Sequence, residues 1–150
     1  MKDIKKLTYS LARIAGSKFV AEELSQRGFK TSVSYGKNSV DFHASKLSNN
    51  KVFDLQVKTT QSGRRSWVLH GKDELNSYDN LFYVFVLLKV EPERPEYFIV
   101  PGKQVAETLS IGYTKWISTP GRNGQKHNYS DVRKFNDPKG IYLERWDLLS

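Results

Sequence analysis

The stretch from Val40 to Lys58 most constrains what this chain can fold into. It reads as two strands, VDFHAS and KVFDLQVK, joined by the polar turn KLSNN. In the first, Val40, Phe42 and Ala44 alternate with Asp41, His43 and Ser45. In the second, Phe53, Leu55 and Val57 alternate with Asp54, Gln56 and Lys58. Successive side chains of a strand point to opposite faces, so each segment carries one apolar and one polar face. A hairpin closed symmetrically about Ser48 and Asn49 sets Asp41 opposite Gln56. Directly opposed residues share a face, with Cβ atoms roughly 4.5–5.5 Å apart. That register brings Asp41, Gln56 and Lys58 to one spot, with Asp54 beside them. A slip of two residues opposes Asp41 to Asp54 or Lys58 instead, and an amphipathic hairpin with a merely wet face carries the same pattern.

A carboxylate and an amide oxygen are hard oxygen ligands of the kind that hold Mg²⁺, which keeps several of its waters. A lysine two residues further along can hold a water or stabilise charge developing on a phosphate. With these residues in place the chain resembles the PD-(D/E)XK nuclease superfamily. Its signature is an aspartate, a loop, then an acidic residue, one apolar residue and a lysine. The matching residues are Val40-Asp41-Phe42 and Leu55-Gln56-Val57-Lys58-Thr59-Thr60. Glutamine in place of the acid is similar to the variant of Mrr-type restriction endonucleases, and the opening order of elements is also similar to Holliday-junction resolvases. The resemblance implies a restriction-endonuclease-like α/β fold, an αβββαβ core with a mixed central sheet flanked by helices. It further implies a magnesium-dependent (or manganese-dependent) endonuclease, a hydrolase acting on DNA phosphodiester bonds. Asp41, Gln56 and Lys58 are the catalytic candidates, and Asp41 and Gln56 the metal ligands, with Asp54 a third candidate ligand. A homodimer is expected by analogy with nucleases of this fold that cut two strands.

Charge is consistent with that substrate. The 150 residues carry 24 Lys and Arg against 16 Asp and Glu, a net charge of +8, which favours polyanions. Solvated lysines on an ordinary domain give the same sum. A hydrophobic content of 38% and an aromatic content of 13% suit a folded chain of one domain over residues 1–150. The absence of cysteine excludes disulfides, thiolate metal sites and a cysteine nucleophile. The start, MKDIKKLTYSLARIAG, lacks the long apolar run and cleavage site of a signal peptide, and no segment is a membrane span, so a cytoplasmic protein is expected.

Residues 3–27 read as an amphipathic helix whose stripe is Leu7, Leu11, Ile14, Ala21 and Leu24, with Asp3 as N-cap and Gly28 after the last turn. A short strand over 30–34 and a turn over 35–39 lead into the hairpin. Resolvases and several relatives carry a helical glutamate about eleven residues before the glycine that ends this helix. Here that position is Ser17, and the nearby Glu22 and Glu23 read as solvated surface. This departure supports a second reading, a catalytically inactive nuclease-fold module that binds nucleic acid or a protein partner. A third is a basic structural subunit without nucleic acid.

After Lys58, Thr60, Arg64 and Arg65 lie on a polar basic loop suited to phosphate oxygens. Trp67-Val68-Leu69 reads as an edge strand and 72–77 as a short helix. Leu81 to Leu88 is a continuous apolar run, the mark of a strand covered on both faces. A proline-containing turn over 90–95 joins it to a strand over 97–100, and Lys103 to Leu109 starts a helix. Residues 117–140 are rich in Gly, Pro, Asn and Ser and carry Arg122, Lys126, Arg133 and Lys134 as further phosphate contacts, interleaved with Tyr129 and Phe135. Residues 142–149 close the chain as an apolar element, helical or extended. There is no Gly-rich phosphate loop, and the three histidines, His43, His70 and His127, have no zinc-ligand spacing.

Overall fold

The structure, a computed structural model, describes residues 6–35, 40–90 and 93–150. Asp3, most of the 35–39 turn and part of the 90–95 turn lie outside the described residues. The elements run α1 (Tyr9–Gln26), β1 (Phe29–Val33), β2 (Phe42–Lys46), β3 (Val52–Thr60), β4 (Ser66–His70), β5 (Leu81–Leu87), β6 (Glu96–Pro101), α2 (Gly102–Ser118) and β7 (Val132–Asn136). Single 3-10 turns occupy Gly71–Glu74 and Trp146–Leu148.

A five-stranded sheet has the order β1-β2-β3-β5-β6. It is mixed, because β3 and β5 pair in parallel while every other neighbouring pair is antiparallel. The β2–β3 register opposes Phe42 to Leu55 and Ala44 to Phe53, the symmetric hairpin that the alternation implies. β4 and β7 form a separate two-stranded sheet. The crossover from β3 to β5 is made by β4 and a 3-10 turn where a helix over 72–77 was expected. The cause is Asp73, whose carboxylate is spent on the His70 amide and on a buried tyrosine, drawing the segment into the core.

Two apolar cores lie on the two faces of the sheet. β5 supplies both, which explains its unbroken apolar run: Phe82, Val84 and Val86 face the α1 side, and Leu81, Tyr83, Phe85 and Leu87 the α2 side. The α2-side core includes Trp67 and Leu69 of β4 and Phe135 of β7, whose ring stacks on Phe85 at 4.6 Å. Phe135 is therefore a core residue and not an exposed base contact.

α1 departs from the expected stripe. Thr8 is its N-cap, accepting a hydrogen bond from the Leu11 amide at 3.3 Å, and Gly28 follows its end at φ 85°, where glycine is favoured. The buried ridge is Ala12, Gly16, Val20 and Leu24, whereas Leu7, Leu11 and Ile14 are exposed. The ridge faces inward because small residues let the helix lie close on β3. A Cβ on Gly16 would stand 2.0 Å from Thr59 Oγ1. Leu11 and Ile14 sit roughly 140–160° around the helix from the centre of that ridge, and Leu7 lies before the N-cap, outside the helix. α2 continues past the Lys103–Leu109 stretch that starts it and ends at Ser118. The C-terminal segment runs as turns, bridges Phe98 through Leu143, and inserts Trp146 and Leu149 into the α1-side core. Among the described residues no helix is long and apolar enough to cross a membrane.

Candidate active-site cleft

β3 leaves the α1-side core with alternate residues pointing the other way. Its parallel register with β5 places Gln56 beside Tyr83 and Lys58 beside Phe85, on the α2 face. There the sheet is open between α1, β4 and the loop after β3, and a cleft of about 960 Å³ results. Asp41, Gln56 and Lys58 line it together, with Thr59, Thr60 and Arg64 following along β3 and its loop. α1 contributes Tyr9, Ala12 and Arg13, β4 contributes His70 and the turn after it Lys72, and β7 contributes Lys134.

Asp41 stands one residue before the ladder of β2. Its amide bonds to Leu55 O at 2.8 Å, so the strand slips out of the symmetric register there. Its carboxylate reaches across, and Oδ2 accepts the Val57 amide at 2.7 Å. The acid is thus fixed on the backbone between Gln56 and Lys58. Gln56 is 4% exposed, and its Oε1 is buried without a hydrogen-bond partner among the described residues. Leaving a buried acceptor unpaired costs roughly 1–3 kcal/mol, so such an atom calls for an explanation.

Lys58 is half-buried. Desolvation lowers its pKa below the usual lysine value, opposed by the charges of Asp73 and then Asp41, while Lys72 and Arg13 add to the lowering. Asp73 is fully buried, accepting the Tyr83 hydroxyl at 2.7 Å and the His70 amide at 2.9 Å. Its carboxyl is the largest of the charges that raise the Lys58 pKa against desolvation. Nothing in the sequence pattern marks it, since a lone aspartate after Gly-Lys reads as surface.

Other expected site residues are placed elsewhere. Asp54 does not line the cleft, because Oδ1 is held by His43 Nδ1 at 2.7 Å and Oδ2 accepts the Tyr78 hydroxyl at 2.7 Å. Arg65 is tied to Glu96 through two bonds of 3.1 and 2.9 Å and lies 5.4 Å over the Phe98 ring. Arg133 is 6% exposed, bonded to Glu74 at 2.6 Å and lying 3.4 Å over the Tyr113 ring. Both arginines are structural, so neither is free for phosphate. Arg122 and Lys126 are exposed on the loop before β7 but outside the cleft, whereas Thr60, Arg64 and Lys134 are on it.

The α1 residues on the cleft include no carboxylate. Glu23 instead joins Arg94 at 2.8 Å and Arg27 at 3.5 Å, and Glu22 is exposed. Among the described residues no three His, Cys, Asp or Glu converge as a metal cluster. The donor set is therefore one carboxylate, one amide oxygen and a lysine. A hard divalent cation fits it on one observation, the orphaned Gln56 Oε1, and such a cation would complete its shell with waters or phosphate oxygens.

No family model matches this sequence, and no curated protein matches it. Solved structures do. The chain is similar to the bacterial homing endonuclease I-Ssp6803I, with 13% identity and a TM-score of 0.58 over 96% of this chain and 92% of that one. It is also similar to Hjc, a Holliday junction resolvase of the archaeal hyperthermophile Archaeoglobus fulgidus, with 13% identity and a TM-score of 0.47 over 85% and 87%. The chain has a restriction-endonuclease-like fold.

Proposed function

From that fold we propose that the protein is a metal-dependent endonuclease that hydrolyses DNA phosphodiester bonds in the cleft at the end of β3. The single observation that carries the reading is Gln56 Oε1, a buried acceptor without a partner, in the same cleft as Asp41 and Lys58. A solvated hairpin face has no reason to bury such an atom, whereas a cation site does.

Asp41 and Gln56 would hold Mg²⁺ or Mn²⁺. The ion would supply Lewis-acid stabilisation of the phosphoryl oxygens and a more acidic water. Lys58, whose pKa Asp73 and Asp41 raise against the lowering by desolvation, would orient the attacking water and stabilise the pentacovalent charge. Arg64, Lys134, Lys72 and Arg13 give the cleft the positive rim that a phosphate backbone needs, and Thr60 offers a hydroxyl to a phosphate oxygen.

The test is nicking of supercoiled and branched DNA with Mg²⁺ or Mn²⁺, comparing wild type with Asp41→Ala. Metal-dependent nicking that falls at least about 100-fold in the variant is expected, the scale of losing a group that stabilises charge in the transition state. Undiminished cutting by Asp41→Ala would refute it.

One observation favours a second reading. The α1 side of the cleft offers Arg13 and Tyr9 and no acid. A nuclease fold that binds nucleic acid or a protein without cutting accounts for that. Salt-sensitive DNA retention with no cleavage in either metal would mark it.

A further inference from the structure

The end of α2 and the loop after it hold a group of rings that the proposed cleavage chemistry does not use. Trp116 stacks on His127 with centroids 4.1 Å apart and planes 4° from parallel, and on Tyr113 at 5.8 Å. Tyr129 meets Tyr113 edge-on at 6.3 Å. The arrangement is pinned by hydrogen bonds. His127 Nδ1 donates to Trp116 O at 2.7 Å, the Ser130 amide donates to the Tyr113 hydroxyl at 3.1 Å, and the Gly71 amide donates to Asp131 O at 2.9 Å.

These rings are built into one another and not into either core. Trp116 is 42% exposed and Tyr129 74%, whereas Trp67 and Trp146 are 2% and 5% exposed. Burial therefore does not account for them. Their position is also informative. The Tyr129 hydroxyl lies beside Gly71, and the residues on either side of Gly71, His70 and Lys72, both line the cleft. The same helix end and loop carry the exposed cations Lys115, Arg122 and Lys126, and Lys134 follows on β7 at the cleft itself. Exposed rings among exposed cations are the composition of a surface for single-stranded nucleic acid, in which cations follow the phosphates and rings stack the bases. Duplex DNA keeps its bases stacked inside and gives such rings nothing to hold.

We propose that this group receives an unpaired base of the nucleic acid held in the cleft, with Tyr129 as the stacking ring and Tyr113, Trp116 and His127 as its support. The inference rests on the nucleic-acid reading of the cleft and adds the class of substrate, one with a single-stranded or unstacked nucleotide beside the cleft.

The experiment measures binding of labelled oligothymidylate and of a duplex of equal length to wild type, Tyr129→Ala and Tyr129→Phe at one salt concentration. Tyr129 is so exposed that its truncation leaves the fold in place. Tyr129→Ala is expected to weaken oligothymidylate about tenfold and leave the duplex within about twofold, while Tyr129→Phe, which keeps the ring, binds like wild type. Oligothymidylate is also expected to quench tryptophan emission, and Trp116→Phe to abolish the quenching, because Trp116 is the exposed one of the three tryptophans. Unchanged oligothymidylate binding by Tyr129→Ala overturns the inference alone, as does an equal loss on both ligands. Salt-sensitive duplex binding without any oligothymidylate binding does the same. A wild type that binds neither overturns the cleft reading as well.

Discussion

Gln56 and Lys58 both lower the stability of the fold for the sake of the cleft. Gln56 buries an unpaired oxygen, and Lys58 holds a cation where desolvation opposes it. Gln56→Leu is therefore expected to raise metal-free stability by about 1 kcal/mol, near 3 °C in Tm, and to abolish any rise of Tm with Mg²⁺. Calorimetry with and without the ion checks both. For Lys58 the folded pKa lies below the unfolded one, so the unfolded chain binds the extra proton between the two values. Stability from this group accordingly rises with pH through that window, up to the ordinary value of 10.5. Lys58→Met should lose that rise and melt no lower than wild type at neutral pH. In the proposed mechanism cleavage needs the ammonium, so activity should fall as pH climbs through the lowered pKa. Asp73→Asn removes the largest charge that raises this pKa, and its alkaline limb should move to lower pH in a pH–rate profile, with the Tyr83 bond partly kept. At this scale the sequence is legible where chemistry and alternation coincide, as at Asp41, Gln56 and Lys58. It is silent where a partner is remote. Arg65 finds Glu96 31 residues away and Arg133 finds Glu74 59 away, and neither pairing leaves a mark on its neighbours in sequence.

The contact of α1 with β3 sets the back wall of the cleft. Gly16 lies flush on Thr59, the residue after Lys58, so the helix position is transmitted directly to the lysine. Gly16→Ala gains up to about 1 kcal/mol of helix propensity and forces a methyl to 2.0 Å from Thr59 Oγ1. Overpacking of this kind costs about 1–3 kcal/mol, so a net loss of stability is expected, with cleavage falling further than stability. Thr59→Ala in the same chain removes Oγ1 and should recover part of both, which a double-mutant cycle of denaturation midpoints would measure. The same contact explains why α1 misleads a hydropathy reading. Ala12 and Gly16 are buried for their size, while Leu7, Leu11 and Ile14 are more apolar and exposed. The strands are more transparent, because alternation in β2 and β3 and the double coverage of β5 both leave periodic signatures. The β4–β7 pair has no such local signal, since its partners are joined only through 61 intervening residues of chain, from 71 to 131.

Across the whole molecule, the net charge of +8 is deployed unevenly. Lys6, Arg13, Lys58, Arg64, Lys72 and Lys134 line the cleft, while Arg65, Arg94 and Arg133 are spent on carboxylates that join distant parts of the chain. Only the first group should release counterions when DNA binds. Arg64→Ala is expected to reduce the slope of log affinity against log salt by about 0.9, since each phosphate neutralised on a duplex contributes that much. Arg65→Ala should leave the slope unchanged and destabilise the fold by of order 1 kcal/mol. Fluorescence titrations at several salt concentrations separate the two. The central question is whether the cleft at the end of β3 cuts DNA. The most direct measurement is nicking of supercoiled DNA in Mg²⁺ or Mn²⁺ by wild type and Lys58→Met, with duplex binding followed in parallel. Metal-dependent nicking by wild type, lost in Lys58→Met while binding persists, is the predicted result. Equal nicking by both proteins, or none by wild type in either metal, would contradict it.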